Sequence, residues 1–260
     1  MTFNEFNLKD LLQKAIDEAG FKEPSPIQEQ AIPFVLAGRD IVGQAHTGTG
    51  KTAAFGLPIL NNMKGNSGVE AVVIVPTREL AMQVSDELYR FGRFLGINTA
   101  TVYGGQAYAR QIKLIENAGI IVATPGRFLD LLRGGKIDIK PEYVILDEAD
   151  EMLDMGFLDD IKEIFTFLPE ERQTLLFSAT MPVAIKNLAK TILKDPEFIT
   201  LTKSDVTNSK ITQTFYVVDE RERDDALIRL YDYKNPTKSI IFCRTKKEVD
   251  RLSTFMVSQG

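Results

Sequence analysis

Short runs of apolar, largely β-branched residues alternate along the chain with longer stretches whose apolar positions recur every three or four residues. The runs are DIVGQ at 40–44, AVVIV at 71–75, TATVY at 99–103, GIIVAT at 119–124, YVILD at 143–147 and TLLFSA at 174–179. Near-continuous apolar strands are expected where helices cover both faces of a sheet. Helical periodicity falls between the runs, at 78–94, 107–117, 126–133 and 182–193. The alternation predicts right-handed βαβ units in an α/β fold, with a mostly parallel sheet flanked by helices. Ligands of such folds collect beyond the carboxyl ends of the strands.

The pattern weakens at the polar stretch LTKSDVTNSK, residues 201–210, and a linker is expected at 206–212. Beyond it come only two strand candidates, TQTFYVV at 212–218 and SIIFC at 239–243, with two helical patterns. Two strands cannot build a sheet covered on both faces. Residues 1–205 are therefore expected to form one full domain, and 213–260 the opening of an incomplete second one.

Composition narrows the class without naming a function. The chain has 260 residues, 44% hydrophobic and 26% charged, which reads as soluble and globular. A single cysteine, Cys243, rules out an intramolecular disulfide framework and suits a reducing compartment. No charged-then-apolar leader follows Met1, and no apolar run approaches the roughly 18 residues of a membrane helix. A cytoplasmic protein without membrane contact is expected. The net charge of -5 gives no global sign of a nucleic-acid partner, so any such surface must be local.

The strand ends carry the candidate chemistry. AHTGTGKT, residues 45–52, follows one strand candidate and opens an apolar helix, the layout of a phosphate-binding P-loop. Gly48 and Gly50 let backbone N–H groups converge on phosphate oxygens, and the helix N-terminus adds its positive dipole end. Lys51 would reach the β and γ phosphates, and Thr52 would offer its hydroxyl to Mg²⁺. Ala45 stands where the strict pattern has its first glycine. An ordinary glycine turn capping a helix is the alternative.

VILDEADEMLD at 144–154 sets five carboxylates behind three aliphatic residues. Asp147 emerges where a buried strand meets its loop, the usual position of an acid that holds Mg²⁺ beside a P-loop. Glu148 comes next, suited to orient or deprotonate an attacking water. Glu151 and Asp154, three apart on the following helix, read as a solvated face.

With Asp147-Glu148-Ala149-Asp150 spelling DEAD, the chain resembles the DEAD-box ATP-dependent RNA helicases, which have two RecA-like P-loop domains. Other pieces occur in the family's order. GFKEPSPIQ at 20–28 resembles the Q motif, PTRELA at 76–81 the first RNA-binding motif, and YGG at 103–105 the glycine doublet. TPGR at 124–127 and SAT at 178–180 follow, and SIIFCRTK at 239–246 resembles the first motif of the second domain. The resemblance covers essentially the whole chain.

It implies that ATP is held by the loop residues Ala45, His46, Thr47, Gly48, Thr49, Gly50, Lys51 and Thr52. Gln28 would read the adenine edge, with Phe21 stacked on the ring and Phe3 as the family's isolated upstream aromatic. On the residues alone, Ser25, Pro26 and Gln28 also read as a helix start with a capping box, and Phe3 as a hydrophobic staple. RNA would lie along Pro76, Thr77, Arg78, Gly104, Gly105, Thr124, Gly126 and Arg127, whose small residues and arginines at strand ends suit phosphates. Asp130 would accept from a ribose 2′-hydroxyl. Arg78 and Glu79 could instead form a surface pair. No aromatic platform is evident, which favours backbone recognition over sequence reading.

Asp150, Ser178 and Thr180 would relay between the ATP site and the inter-domain surface, or the two hydroxyls simply end a strand and cap a helix. The implied activity is RNA-dependent ATP hydrolysis with ATP and Mg²⁺, using Lys51, Asp147 and Glu148 as the catalytic group. Domain closure would pry short duplexes apart. The later arginine-rich motif of the family does not occur in the chain, so a nucleotide- and weak RNA-binding module is the competing expectation. A DNA helicase of the same superfamily is disfavoured by GFKEPSPIQ and Asp130.

Overall fold

A computed structural model describes residues 1–65, 68–201, 212 and 214–259. Two compact units are present, residues 1–207 and 208–260. Most of the linker expected at 206–212 lies outside the described residues.

The first unit is built on a seven-stranded sheet in the order β3-β4-β2-β5-β6-β1-β7. Its strands are β1 (Ile41–Gln44), β2 (Ala71–Ile74), β3 (Thr99–Val102), β4 (Ile120–Ala123), β5 (Tyr143–Leu146), β6 (Gln173–Ser178) and β7 (Glu197–Thr200). Every pairing is parallel, as the α/β pattern predicts. The helices are α1 (Asp10–Glu18), α2 (Pro26–Leu36), α3 (Lys51–Asn62), α4 (Arg78–Gly92), α5 (Tyr108–Ile115), α6 (Pro125–Arg133), α7 (Ala149–Asp154), α8 (Leu158–Phe167) and α9 (Val183–Ile192).

Alternation along the strands divides the core in two. Ile41, Val73, Val122, Ile145 and Leu175 pack with Leu12, Ile27, Phe55 and Leu88, from α1 to α4. Their neighbours Val42, Val72, Ile121, Val144 and Leu176 pack with Phe128, Met152, Ile161 and Leu188, from α6 to α9. A strand buried on both faces has no room for polar positions, which is why these runs read as continuously apolar.

The predicted runs overshoot several strands by one residue, for a definite reason. Val75, Thr124 and Asp147 each still donate one backbone hydrogen bond to a neighbouring strand, to Ala123, Val102 and Ile74 at 2.9, 2.9 and 3.0 Å, before the chain turns away. β7 has no counterpart among the predicted runs. It is an edge strand in which only Ile199 is buried, so it lacks the apolar signature of its neighbours.

In the second unit the strands expected at 212–218 and 239–243 are not formed among the described residues. Phe215, Val217, Ile240 and Phe242 are 81–91% exposed. An apolar run becomes a strand only where a neighbour accepts its hydrogen bonds. Helices Arg223–Lys234 and Lys246–Ser258 do form, joined by an Arg251–Asp224 ion pair. No helix of the described residues is long and apolar enough to cross a membrane.

Candidate functional site

The carboxyl ends of β1, β6 and β5 converge. Register sets Gln44 beside Ser178 and Leu146 beside Leu176, so the three strands release their chains within two residues of one level. The 45–52 loop leaves β1, the 147–148 pair leaves β5, and Ser178 closes the strand between them.

The loop is fastened from below by α2. Ser25 Oγ donates to the Thr49 carbonyl at 2.7 Å, and Gln28 Nε2 donates to the Gly50 carbonyl at 3.0 Å. Gln28 Oε1 accepts from the Ser25 N–H at 2.8 Å, completing the capping box. Gly50, at φ +90°, is the residue before α3, and a Cβ there would strike the Gln28 amide. Thr49 Oγ1 donates to the His46 carbonyl at 2.8 Å. These contacts use the loop's carbonyls, whereas the N–H groups of residues 46–50 donate to no protein acceptor among the described residues. A cradle of free amides at a helix start suits an anion.

Both hydrogen-bonding ends of Gln28 are thus engaged within the protein, and the side chain is 3% exposed. Gln28→Ala is expected to lower folding stability by about 1–2 kcal/mol through loss of the cap. Urea unfolding measures it, and an unchanged midpoint would contradict the fastening. Phe21 lies on the same side, its ring 5.9 Å from those of Phe3 and Phe91. Phe3, expected at the nucleotide, is 2% exposed and also packs on Phe6. It supports Phe21 from behind and offers almost no surface of its own.

The acids face the loop. Lys51 Nζ lies 2.7 Å from Glu148 Oε1 and 3.5 Å from Asp147 Oδ1, and all three side chains are buried. The ammonium is thus held by the two acids, at directions outside good hydrogen-bond geometry. Thr47 Oγ1 donates to Glu148 Oε1 at 2.9 Å. Burial pushes the Asp147 carboxyl up to about 6, with Lys51 pulling down and Glu148 adding to the rise. Glu148 has φ +56°, the left-handed region that a non-glycine residue occupies at a cost of about 1–3 kcal/mol. Such strain is characteristic of functional positions.

Thr52, in the first turn of α3, is half-buried beside the Glu87 carboxyl of α4. Burial raises the Glu87 pKa, while Thr52 and Arg90 oppose the rise. The described residues contain no group of three or more His, Cys, Asp or Glu able to hold a metal alone. A carboxylate such as Asp147 and a hydroxyl such as Thr52 are ligand types that Mg²⁺ takes together with waters and phosphate oxygens. The Lys51 ammonium and the loop amides fit the phosphates.

Asp150 links α7 to the end of β6. Its Oδ2 accepts from Thr180 N–H and Oγ1, both at 2.8 Å, and its own N–H donates to Ser178 Oγ at 3.1 Å. Ser178 is fully buried and donates to the Thr180 carbonyl at 2.6 Å. Burial raises the Asp150 pKa, but the Thr180, Ser178 and Ala179 hydrogen bonds outweigh it and leave it below the usual value. A depressed carboxylate contributes stability that is present above its unfolded pKa and lost as pH falls through the folded one. Asp150→Asn is therefore expected to flatten the acid limb of the stability curve below about pH 4. Thermal melts between pH 2 and 5 test this, and an acid limb as steep as the wild type's would contradict it. Glu151 and Asp154 are exposed, as a solvated helix face requires.

The nucleic-acid candidates occupy the ends of β2, β3 and β4. Thr77 caps α4, its Oγ1 accepting from Leu80 N–H at 3.2 Å, and Pro76 is buried before it. Arg78 does not pair with Glu79. Its Nη2 donates to the Gly104 carbonyl at 2.9 Å and its guanidinium lies 5.1 Å from the Tyr103 ring centre. Gly105, at φ +88°, leaves the space this arginine fills. Thr124 and Gly126 flank Pro125 at the start of α6. Arg127 Nη1 donates to the Gln106 carbonyl at 2.7 Å and to Gln111 Oε1 at 3.0 Å. Asp130 is exposed and accepts from Tyr108 OH at 3.2 Å.

Two aromatic residues do lie at this edge, with cations against their rings. They are Tyr103 and Tyr108, and Tyr108 carries Arg127 on its ring at 4.3 Å and Lys136 at 3.6 Å. Periodicity marks Tyr108 as a helix residue, and its stacking partners come from α6 and the loop after it.

Residues 25–188 match the DEAD/DEAH box helicase family. The chain is 56% identical to the DEAD-box ATP-dependent RNA helicase RhpA of Helicobacter pylori, over 100% of this chain and 53% of the relative. It is 49% identical to the DEAD-box ATP-dependent RNA helicase CshA of Streptococcus pneumoniae, over 100% of this chain and 50% of that protein. A crystal structure of a DEAD box protein from the hyperthermophile Methanococcus jannaschii superposes with a TM-score of 0.76 at 42% identity, covering 100% of this chain and 71% of that one. The chain thus spans about half the length of these curated relatives.

Proposed function

Because the chain belongs to the DEAD/DEAH box helicase family, we propose that it is the nucleotide-binding part of an RNA-dependent ATPase that unwinds short RNA duplexes. The observation that carries this reading is the Lys51 ammonium, buried beside Asp147 and Glu148 under a loop of unpaired amides.

The N–H groups of residues 46–50 and Lys51 bind the phosphates, and Phe21 and Gln28 hold the adenine end. Gln28 does so only by exchanging a contact it now makes to Ser25 or Gly50. Thr52 and Asp147 are the residues that would hold magnesium, which when bound neutralises phosphate charge. Glu148 orients the attacking water and accepts its proton, after releasing Lys51 to the γ-phosphate. Catalysis of this kind is mostly placement and electrostatics. Arg78, Arg127 and the amides near Gly104, Gly105, Thr124 and Gly126 bind the RNA backbone without reading sequence. Asp130 accepts from a ribose 2′-hydroxyl, and Asp150, Ser178 and Thr180 couple the two sites. The protein works in the cytoplasm.

Domain organisation follows the same reading: a complete first domain in residues 1–205, a linker, and the opening of a second domain from 213. An arginine supplied across such a site is worth on the order of 10³ to 10⁵ in rate. The arginine-rich motif does not occur in these residues, so the chain alone binds nucleotide and turns over slowly. ATP hydrolysis with saturating RNA, measured on these residues with and without the remaining half of the longer protein added in trans, tests this. Rescue by the added half is expected. Strong RNA-stimulated turnover without it would overturn the dependence.

A further inference from the structure

Gln111 is a polar side chain with no exposed surface, in a helix whose other buried position is apolar. We propose that Gln111 is a positioning residue for the RNA-binding edge, holding Arg127 and the Tyr103–Gly104–Gly105 turn in one arrangement. This rests on the reading of Arg127 and the glycine pair as phosphate contacts.

The geometry is a three-way clamp. Gln111 Nε2 donates to the Tyr103 carbonyl at 2.8 Å, fixing the chain where it leaves β3. Its Oε1 accepts from Arg127 Nη1 at 3.0 Å, and the same Nη1 donates to the Gln106 carbonyl at 2.7 Å. Gln106 Nε2 donates to Tyr103 OH at 2.5 Å, closing the ring of contacts. Among the described residues Arg127 uses only Nη1 inside the protein, and its plane rests on Tyr108. Nε and Nη2 remain as donors for a phosphate.

An amide satisfies this position at both ends. Arginine can only donate and a carbonyl can only accept, so the side chain must present one oxygen and one N–H₂ in a single orientation. A glutamate would keep the arginine, neutralise part of its charge and set a carboxylate against the Tyr103 carbonyl. A leucine would leave a buried acceptor and a buried donor without partners. The alternative is that Gln111 merely stabilises the fold, and the two roles differ in what they do to RNA affinity.

The test is RNA binding and RNA-stimulated ATP hydrolysis by the full-length protein, comparing Gln111→Leu, Gln111→Glu and Arg127→Ala. Gln111→Leu is expected to raise the half-saturating RNA concentration about tenfold, the loss of one charge-assisted contact, with ATP affinity within about twofold of wild type. The slope of log affinity against log salt should fall by about 0.7, as for any lost phosphate contact to a single strand. Gln111→Glu should weaken RNA in the same direction while keeping its contact to the arginine. The double variant Gln111→Leu with Arg127→Ala should lose less than the sum of the two single losses, because part of the Gln111 effect acts through Arg127. If Arg127→Ala leaves RNA affinity untouched, the RNA reading of this edge fails. If Arg127→Ala weakens RNA but both Gln111 variants keep wild-type affinity and salt slope, or the effects simply add, the positioning role fails.

Discussion

Lys51→Ala is expected to destabilise the nucleotide-free protein by about 3–5 kcal/mol, far more than an exposed lysine would. Lys51 is the cation beside two buried carboxylates, Asp147 and Glu148, at 3% and 6% exposure. Removing it leaves both charges in a medium that solvates them poorly, and the loss exceeds what the intact pair contributes. The deficit should depend on pH. Asp147 already titrates near 6 in the folded protein, and Lys51 is the contact that holds it from going higher. A carboxyl raised in the folded state contributes stability at low pH that is lost as pH rises through the folded value. The variant's deficit should therefore be larger at pH 8 than at pH 5. Urea unfolding at both pH values measures it, and a loss under about 1 kcal/mol at pH 8 would mean the acids are solvated after all.

Glu148→Gln is expected to leave ATP affinity close to wild type while lowering the turnover of the full-length protein on the order of 10² to 10⁴, the worth of a general base. The amide keeps the size of the side chain and its acceptor for Thr47 Oγ1. It removes the proton acceptor and one of the two anions beside Lys51, so binding of an anionic ligand does not suffer. The left-handed backbone at residue 148 is unaffected, because glutamine tolerates it no better than glutamate. Titration of nucleotide at equilibrium and steady-state hydrolysis separate the two effects. Turnover at the wild-type rate would remove Glu148 from the chemistry, and loss of ATP binding would make its role structural.

The parallel sheet and the placement of the candidate residues at its strand ends were legible because each rests on local pattern. Strands buried on both faces write continuous apolar runs, and a glycine loop ending in Lys51 and Thr52 marks its own helix start. β7 was not legible because an edge strand with one buried residue, Ile199, has no such pattern. The apolar runs at 212–218 and 239–243 were misleading for the converse reason, since strand pairing is supplied by neighbours and not by the run itself.

Site residues divide in the same way. Gln28 was legible as a cap, and the resemblance implied an adenine contact, while its bond to the Gly50 carbonyl joins segments 22 residues apart. The strained backbone of Glu148 carries no sequence signal, because glutamate is not a residue chosen for left-handed turns. Gln111, Tyr108 and Glu87 were missed since each acquires meaning only from a partner on another element: Arg127 for the first two, Thr52 for the third.

The claim that the P-loop site and the arginine-lined edge form one RNA-dependent ATPase is tested most directly by steady-state ATP hydrolysis of the full-length protein. The rate is measured without nucleic acid, with single-stranded RNA, and with DNA of the same sequence. The account predicts that RNA accelerates hydrolysis by tenfold or more, on the order of a charge-assisted contact's worth in rate, and that DNA, lacking the hydroxyl offered to Asp130, does not. Equal rates under all three conditions, or equal stimulation by DNA, would contradict it.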